Sequence, residues 1–386
     1  MKRLFLLAGL CYLASCSKQD NVATTDPEKN VCDFGIRDFN LTKRAPVEDE
    51  FNNRKPKNQG GGSGGGGTIS PTAGVVWLDF DGDVVSNTVW NTSGPIYCAP
   101  ANLSATDVNT VINHVSNDFS PFNITITTDE AVFNAAPTTR RQKVIITESW
   151  EWFGQAGGVS FNGSFSSGTY TPCFVFSSLL SYNIKKIAEA ISHETGHTMG
   201  LRHQSTYDAN CVKTNEYNYG QGSGETGWAP IMGIAYYQNL SLWHRGPNTL
   251  GCTTIQDDAA VIAALVGYKT DDHGNSTSNA STLSTAAAGT INTTADVDMF
   301  SVNISTTRTL NLVPFNVNVN NTAANIDMVL RIYNSQGTLL QTIDNPSSLA
   351  ASASLAPGTY FVSAGNIANP NTSTYGMIGK YVISLD

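Results

Sequence analysis

From residue 75 onward, apolar positions come in short runs whose period changes along the chain. Val75-Val76-Trp77-Leu78-Asp79-Phe80 reads as a buried strand ending at Asp81-Gly82-Asp83. Ser104-Ala105-Thr106-Asp107 then starts a helix, with Ser104 as its cap and Asp107 at its positive end. Val108, Val111, Ile112, Val115 and Phe119 follow at helical spacing and make an apolar stripe that must face a sheet. Asn123–Thr128 and Lys143–Thr147 alternate or run apolar and predict two further strands. The glycine-rich stretch 157–166 and Cys173-Phe174-Val175-Phe176 predict a hairpin or edge strand and its neighbour.

A second helix is predicted over Ser181–Met199, with Ile184, Ile187, Ala188 and Ile191 turned to the sheet. A loop rich in Asn, Gly and Tyr follows, and apolar residues return at Trp228. Thr254 is read as the cap of a last helix, with Asp257 and Asp258 in its first turn and an end at Gly267. Residues 271–282 read as a polar linker. Over 283–386 Thr, Asn and Ser rise, cysteine disappears, and short apolar strands alternate with turns; this pattern predicts a β-sandwich of about seven or eight strands.

Half of the six histidines fall in one short window, Ile191-Ser192-His193-Glu194-Thr195-Gly196-His197-Thr198-Met199-Gly200-Leu201-Arg202-His203. On a helix His193 and His197 lie one turn apart on one face, so both imidazoles reach the same ion. Gly200 lets the backbone leave the helix through a left-handed turn and brings His203 round as a third ligand. Three neutral nitrogens suit a tetrahedral Zn²⁺ and leave its fourth position for water, the catalytic pattern. The motif H-E-x-x-H-x-x-G-x-x-H resembles that of the metzincin zinc peptidases. Gly200-Leu201-Arg202-His203 looks most like the matrixin and serralysin forms. Gln204 follows the last ligand, where the astacin pattern has Glu and the reprolysin pattern Asp, so the family within the clan stays open.

The resemblance implies an α+β catalytic domain over 68–270, a twisted mixed sheet with a zinc helix, and strand, helix, strand, strand is the order of the metzincin upper lobe. It implies that Glu194 is the general base, that stretch 157–166 is an antiparallel edge strand that binds an extended peptide, and that Met232, in Ala229-Pro230-Ile231-Met232-Gly233, lies beneath the imidazoles as a support. It also brings Tyr236 or Tyr237 forward as a residue that steadies the transition state. His244 is read as a surface histidine. Within 283–386, Asp296-Val297-Asp298-Met299-Phe300 and Leu355-Ala356-Pro357-Gly358-Thr359-Tyr360-Phe361-Val362 resemble the bacterial pre-peptidase C-terminal domain, an all-β sandwich found behind secreted peptidases.

Lys2, Arg3 and the apolar run Leu4–Leu13 lead to Leu13-Ala14-Ser15-Cys16, which resembles a bacterial lipobox. Residues 1–16 are therefore expected to be a lipoprotein signal, with Cys16 acylated and the protein held at the outer membrane or cell surface, or else secreted. Residues 17–67 end in a glycine run and read as a tether or a short pro-segment. Export implies an oxidising compartment. With Cys11 in the signal and Cys16 lipidated, Cys211–Cys252 and Cys98–Cys173 are the preferred pairs and Cys32 is left over. Cys32 invites comparison with the cysteine switch of matrixin prosegments, but its neighbours do not match that motif.

The net charge of −9 and the lack of a basic stripe argue against nucleic acid. A monomer acting on protein or peptide substrates is expected. Asp79, Asp81 and Asp83 alternate as Ca²⁺ ligands do, yet Trp90 stands where a calcium loop needs an acid, and a turn is the commoner reading. The leading function is a zinc endopeptidase in which Glu194 assists attack by water at the metal. The rival is a non-catalytic surface adhesin with a structural zinc.

Overall fold

The computed structural model describes residues 73–316 and 323–386. The expected signal, Cys16, the tether, Cys32 and residues 68–72 lie outside them. No helix of the described residues is long and apolar enough to cross a membrane.

In chain order the first half runs β1 (Gly74–Asp79), β2 (Asp83–Val85), β3 (Ile96–Cys98), α1 (Ala105–Asp118), β4 (Ile124–Thr127), α2 (Glu130–Ala135), β5 (Arg141–Thr147), β6 (Gly158–Val159), β7 (Cys173–Phe176) and α3 (Ile184–Thr198). After α3 come the ribbon β8 (Thr206–Tyr207) with β9 (Lys213–Asn215), the parallel pair β10 (Trp228–Pro230) and β11 (Leu240–Leu242), the hairpin β12 (Arg245–Asn248) with β13 (Gly251–Asp257), and α4 (Asp258–Val266). Strands β1, β4, β5 and β7 are parallel, β6 is antiparallel to β7, and the order β4-β1-β5-β7-β6 leaves β6 at the edge.

Side chains alternate across this sheet. Val76, Leu78, Val144, Ile146 and Val175 face one core with Val111, Val115 and Phe119 of α1 and Ile187, Ala188 and Ile191 of α3. Ile145, Phe174 and Phe176 face another, with Trp90, Trp152 and Phe161 packed around them. The same alternation corrects one expected disulfide. Cys173 belongs to the first core and Cys98 to the second, so the sheet lies between them and both are buried free thiols. Cys211–Cys252 is formed and ties the β8–β9 ribbon to β13.

Two helix starts also differ from expectation. α3 begins at Ile184 with Asn183 as its cap, because Ser181 and Tyr182 stand at φ +56° and +54° and cannot continue a right-handed helix. α4 is capped by Asp257, because residues up to 257 pair with β12 instead. At the aspartate run after β1, Lys143 Nζ lies 2.7 Å from both Asp79 and Asp83 and supplies the positive charge there.

The remaining strands are β14 (Ser281–Thr282), β15 (Ala286–Ile291), β16 (Val297–Ile304), β17 (Arg308–Pro314), β18 (Met328–Asn334), β19 (Leu339–Ile343), β20 (Ala351–Leu355), β21 (Gly358–Asn366) and β22 (Gly379–Leu385). They form sheets β14-β16-β21-β18-β19 and β15-β22-β17-β20 around one shared core that includes Phe300, Leu310, Leu330, Val362 and Ile383. β14 takes two residues of the expected linker into the first sheet, beside β16.

Candidate metal centre and active site

α3 is buried on almost every side, with its N-terminal half against the sheet and its C-terminal half carrying the histidines. Its end is closed by Gly200. The Leu201 N–H donates to the Gly196 carbonyl (3.1 Å) and the Gly200 N–H to that of His197 (2.8 Å), a Schellman closure. Gly200 stands at φ +99° with open space around it, so the requirement there is conformational. The reversed chain carries His203 back to His193 and His197. One ring nitrogen from each of the three lies within 4.8 Å of the others, and the rings are 1–3% exposed.

The other nitrogen of each ring has its own acceptor. Nδ1 of His193 lies 2.7 Å from the Ile231 carbonyl, Nδ1 of His197 2.7 Å from that of Leu201, and Nδ1 of His203 3.0 Å from Glu216 Oε1. Carbonyls and carboxylates only accept here, so each Nδ1 carries the proton and each Nε2 presents a lone pair. Nε2 of His197 and of His203 are buried with no hydrogen-bond partner among the described residues, a cost that a metal ion would remove. Burial pushes the His193 ring down to about 4 and the other two well below their ordinary range. Neutral imidazoles are the ligand form, so the set fits a metal. Carboxylate oxygens of Asp271, in the linker, and of Asp296 and Asp298, in the sandwich, also lie within 4.8 Å of one another.

Glu194 is 1% exposed. Its Oε2 accepts the Ser160 hydroxyl at 2.5 Å, and burial pushes its carboxyl up to about 8 while Ser160 pulls it down. A cation beside it would lower it further. Edge strand β6 lies directly on this carboxylate. A Cβ on Gly158 would come within 2.7 Å of Glu194 Cγ and 2.9 Å of the Phe174 carbonyl, so glycine allows the close approach. Ser160, just past β6, is half-buried.

Met232 is fully buried in the turn closed by the Gly233 N–H to the Pro230 carbonyl. A Cβ on Gly196 would stand 2.5 Å from its Sδ, so the thioether packs on the helix between the two histidines. Tyr236 is buried, and Glu194 is among the charges that raise its hydroxyl, after burial itself; Tyr237 is 59% exposed. His244 is half-buried, 4.7 Å from the Trp228 ring and not among the three that converge.

Three contributors to this site escape a reading by spacing. Tyr217 places its ring 4.3 Å from that of His203. Glu216 bridges His203 and Lys213, which donates to it at 2.8 Å. Ser160 reaches Glu194 from a stretch whose sequence marks an edge but not a partner. Outer-sphere partners of this kind are worth roughly 10–100-fold in metal affinity. Glu216→Ala is therefore expected to weaken zinc binding by about tenfold, read by competition with a chromogenic chelator.

Comparison with known families places the histidines in context. Residues 83–233 match the Peptidase_M57 family model, described as a dual-action HEIGH metallo-peptidase. The match supports a metallopeptidase. Residues 193–197 read His-Glu-Thr-Gly-His, with threonine in place of the isoleucine of HEIGH. No curated protein matches. Among solved structures, the pre-peptidase C-terminal domain of a collagenase from Bacillus anthracis is 14% identical, covering 28% of this chain and 93% of that one with a TM-score of 0.21. Myroilysin is 13% identical, covering 36% of this chain and 46% of its own length with a TM-score of 0.20. A catalytically inactive OgpA from Akkermansia muciniphila is 11% identical, covering 81% and 92% with a TM-score of 0.22.

Proposed function

We propose that this protein is an exported zinc endopeptidase of the metzincin type, acting on proteins or peptides at the cell surface. One observation carries the reading: three buried, neutral imidazoles turn one nitrogen each toward a common point beside a buried glutamate, next to the edge of a sheet. His193, His197 and His203 would hold the zinc. When bound, zinc supplies Lewis acidity, polarising the scissile carbonyl and making water easier to deprotonate.

The remaining chemistry belongs to the chain. The outer side of β6 offers its backbone to an extended substrate, which adds to the sheet as a further strand. Glu194 Oε2 takes the proton of the attacking water and delivers it to the leaving amine nitrogen. The Ser160 hydroxyl donates to that oxygen and holds it in place. Met232 and Gly196 keep the two helix histidines at a set height above the turn. Of the two tyrosines, Tyr236 is the buried one whose hydroxyl feels the Glu194 charge, and it is the one assigned to steady a developing oxyanion.

Residues 1–16 act as a lipoprotein signal in this reading, with Cys16 acylated and 17–67 holding the enzyme off the membrane. The test is direct. The purified chain is expected to hydrolyse casein, to stop when a chelator removes its metal, and to recover with added zinc; a zinc-loaded protein that leaves casein and a peptide library intact would overturn the reading.

A further inference from the structure

Beneath the histidine helix lies a buried polar cluster that joins three parts of the chain. Ser192, the residue before His193, donates its hydroxyl to Asp118 Oδ2 at 2.5 Å. Glu189, one helical turn before His193, accepts from Lys185 Nζ at 2.8 Å and from the Ser241 hydroxyl, with His114 Nε2 3.3 Å away. The third part is the sandwich. Asn325 Nδ2 donates to Asp118 Oδ1 at 2.9 Å and to the Ser241 carbonyl at 2.7 Å. Asp118, Glu189, Ser192, Ser241 and Asn325 are each at most 4% exposed.

The backbone runs the same way. The Ser241 N–H donates to the Ala324 carbonyl at 3.0 Å and the Ala324 N–H to that of Asn239 at 3.0 Å, so the segment before β18 lies along β11. A second attachment reaches the approach to the methionine turn. The Asn371 carbonyl accepts from Trp228 Nε1 at 2.6 Å, and its amide donates to Thr226. The sandwich thus reaches the helix that carries two histidines through Asp118 and Ser241, and touches the segment that leads to Met232.

We infer that the C-terminal sandwich is a working part of the catalytic unit, and that Asn325 is a positioning residue that sets the histidine helix through Asp118 and Ser192. The inference rests on the peptidase reading above. In a buried position each carboxylate oxygen of Asp118 needs a donor, and one comes from the helix while the other comes from the sandwich. Removing either donor leaves a buried carboxylate oxygen unsatisfied, and Ser192 passes that change to the histidine helix. An appendage that only adds stability or adhesion would need no buried polar contact with the carboxylate that holds the residue next to a metal ligand.

The experiment uses the full chain. Asn325→Leu keeps the volume and removes the amide; Ser192→Ala cuts the same bond chain at the helix end with little change in volume. Each is assayed on one peptide well below its unfolding temperature. Each is expected to lower kcat by about tenfold, at the weak end of outer-sphere effects, with KM within about twofold of the parent. The double variant is expected to lose no more than either single one, because one connection is cut twice. Parental kcat in either folded variant, or losses that multiply in the double variant, would overturn the inference. If Asn325→Leu does not fold, Ser192→Ala decides alone. A parent that cleaves nothing sinks the peptidase reading instead, so the two failures are told apart.

Discussion

Glu194→Ala is expected to bind zinc as the parent does and to lose peptide hydrolysis by roughly 10²–10⁴-fold, the contribution of a positioned general base. The separation follows from the geometry. Each histidine takes its orientation from a group other than Glu194: the Ile231 carbonyl, the Leu201 carbonyl and the Glu216 carboxylate. Deleting the glutamate side chain therefore leaves the ligand set held as before. It also leaves a small hole under Gly158, on the edge strand and not under the imidazoles. Elemental analysis gives the metal content and a fluorogenic peptide gives kcat. A variant with full zinc and near-parental turnover would remove Glu194 from the mechanism.

His193→Ala is expected to fail at the earlier step. Zinc content should fall from about one per chain to a small fraction, because a three-nitrogen site reduced to two loses most of its affinity. Activity should vanish with it. His193 also ties the helix to the turn that carries Met232, through Nδ1 to the Ile231 carbonyl. Its loss should thus remove the rise in unfolding temperature that zinc gives the parent. Scanning calorimetry with and without chelator measures this: parent and variant should differ in zinc and coincide in its absence, apart from the cost of the lost side chain. A His193→Ala protein that keeps its metal would place the ion elsewhere.

The two variants together separate base from ligand, and the reason lies in the fold. The carboxylate comes at the site from the side of β6 and the histidines from the side of the methionine turn. Gly158 and Gly196 mark the two approaches, each at a position where a Cβ would strike the other element. Neither glycine announces this in the sequence, where Gly196 is only the fourth residue of His-Glu-Thr-Gly-His and Gly158 one of a pair.

Legibility in the sequence followed the range of the interaction. The stripe on α1, the Ser104 cap and the turn at Gly200 are local, and each can be read from neighbours within a few residues. The pairing of Cys211 with Cys252 was readable as a preference, because both bracket one short region. The proposed Cys98–Cys173 bond was wrong, since it needed the face of the sheet to which each cysteine points. α3 starts later than its apolar spacing predicts, because left-handed Ser181 and Tyr182 have no signature in residue type.

By itself the sequence determined which histidines converge, because helical period and one glycine bring His193, His197 and His203 together over a span of eleven residues. It also determined the two kinds of folded region, since apolar period distinguishes helices over a sheet from a run of short strands. Only the tertiary structure decided what holds those groups in place. Ser160, Glu216, Tyr217 and Asn325 reach the site or its support from segments far along the chain. The physical reason is that a buried nitrogen or carboxylate takes whatever partner the packed interior brings to it, and that partner is chosen by three-dimensional proximity, which no local pattern encodes.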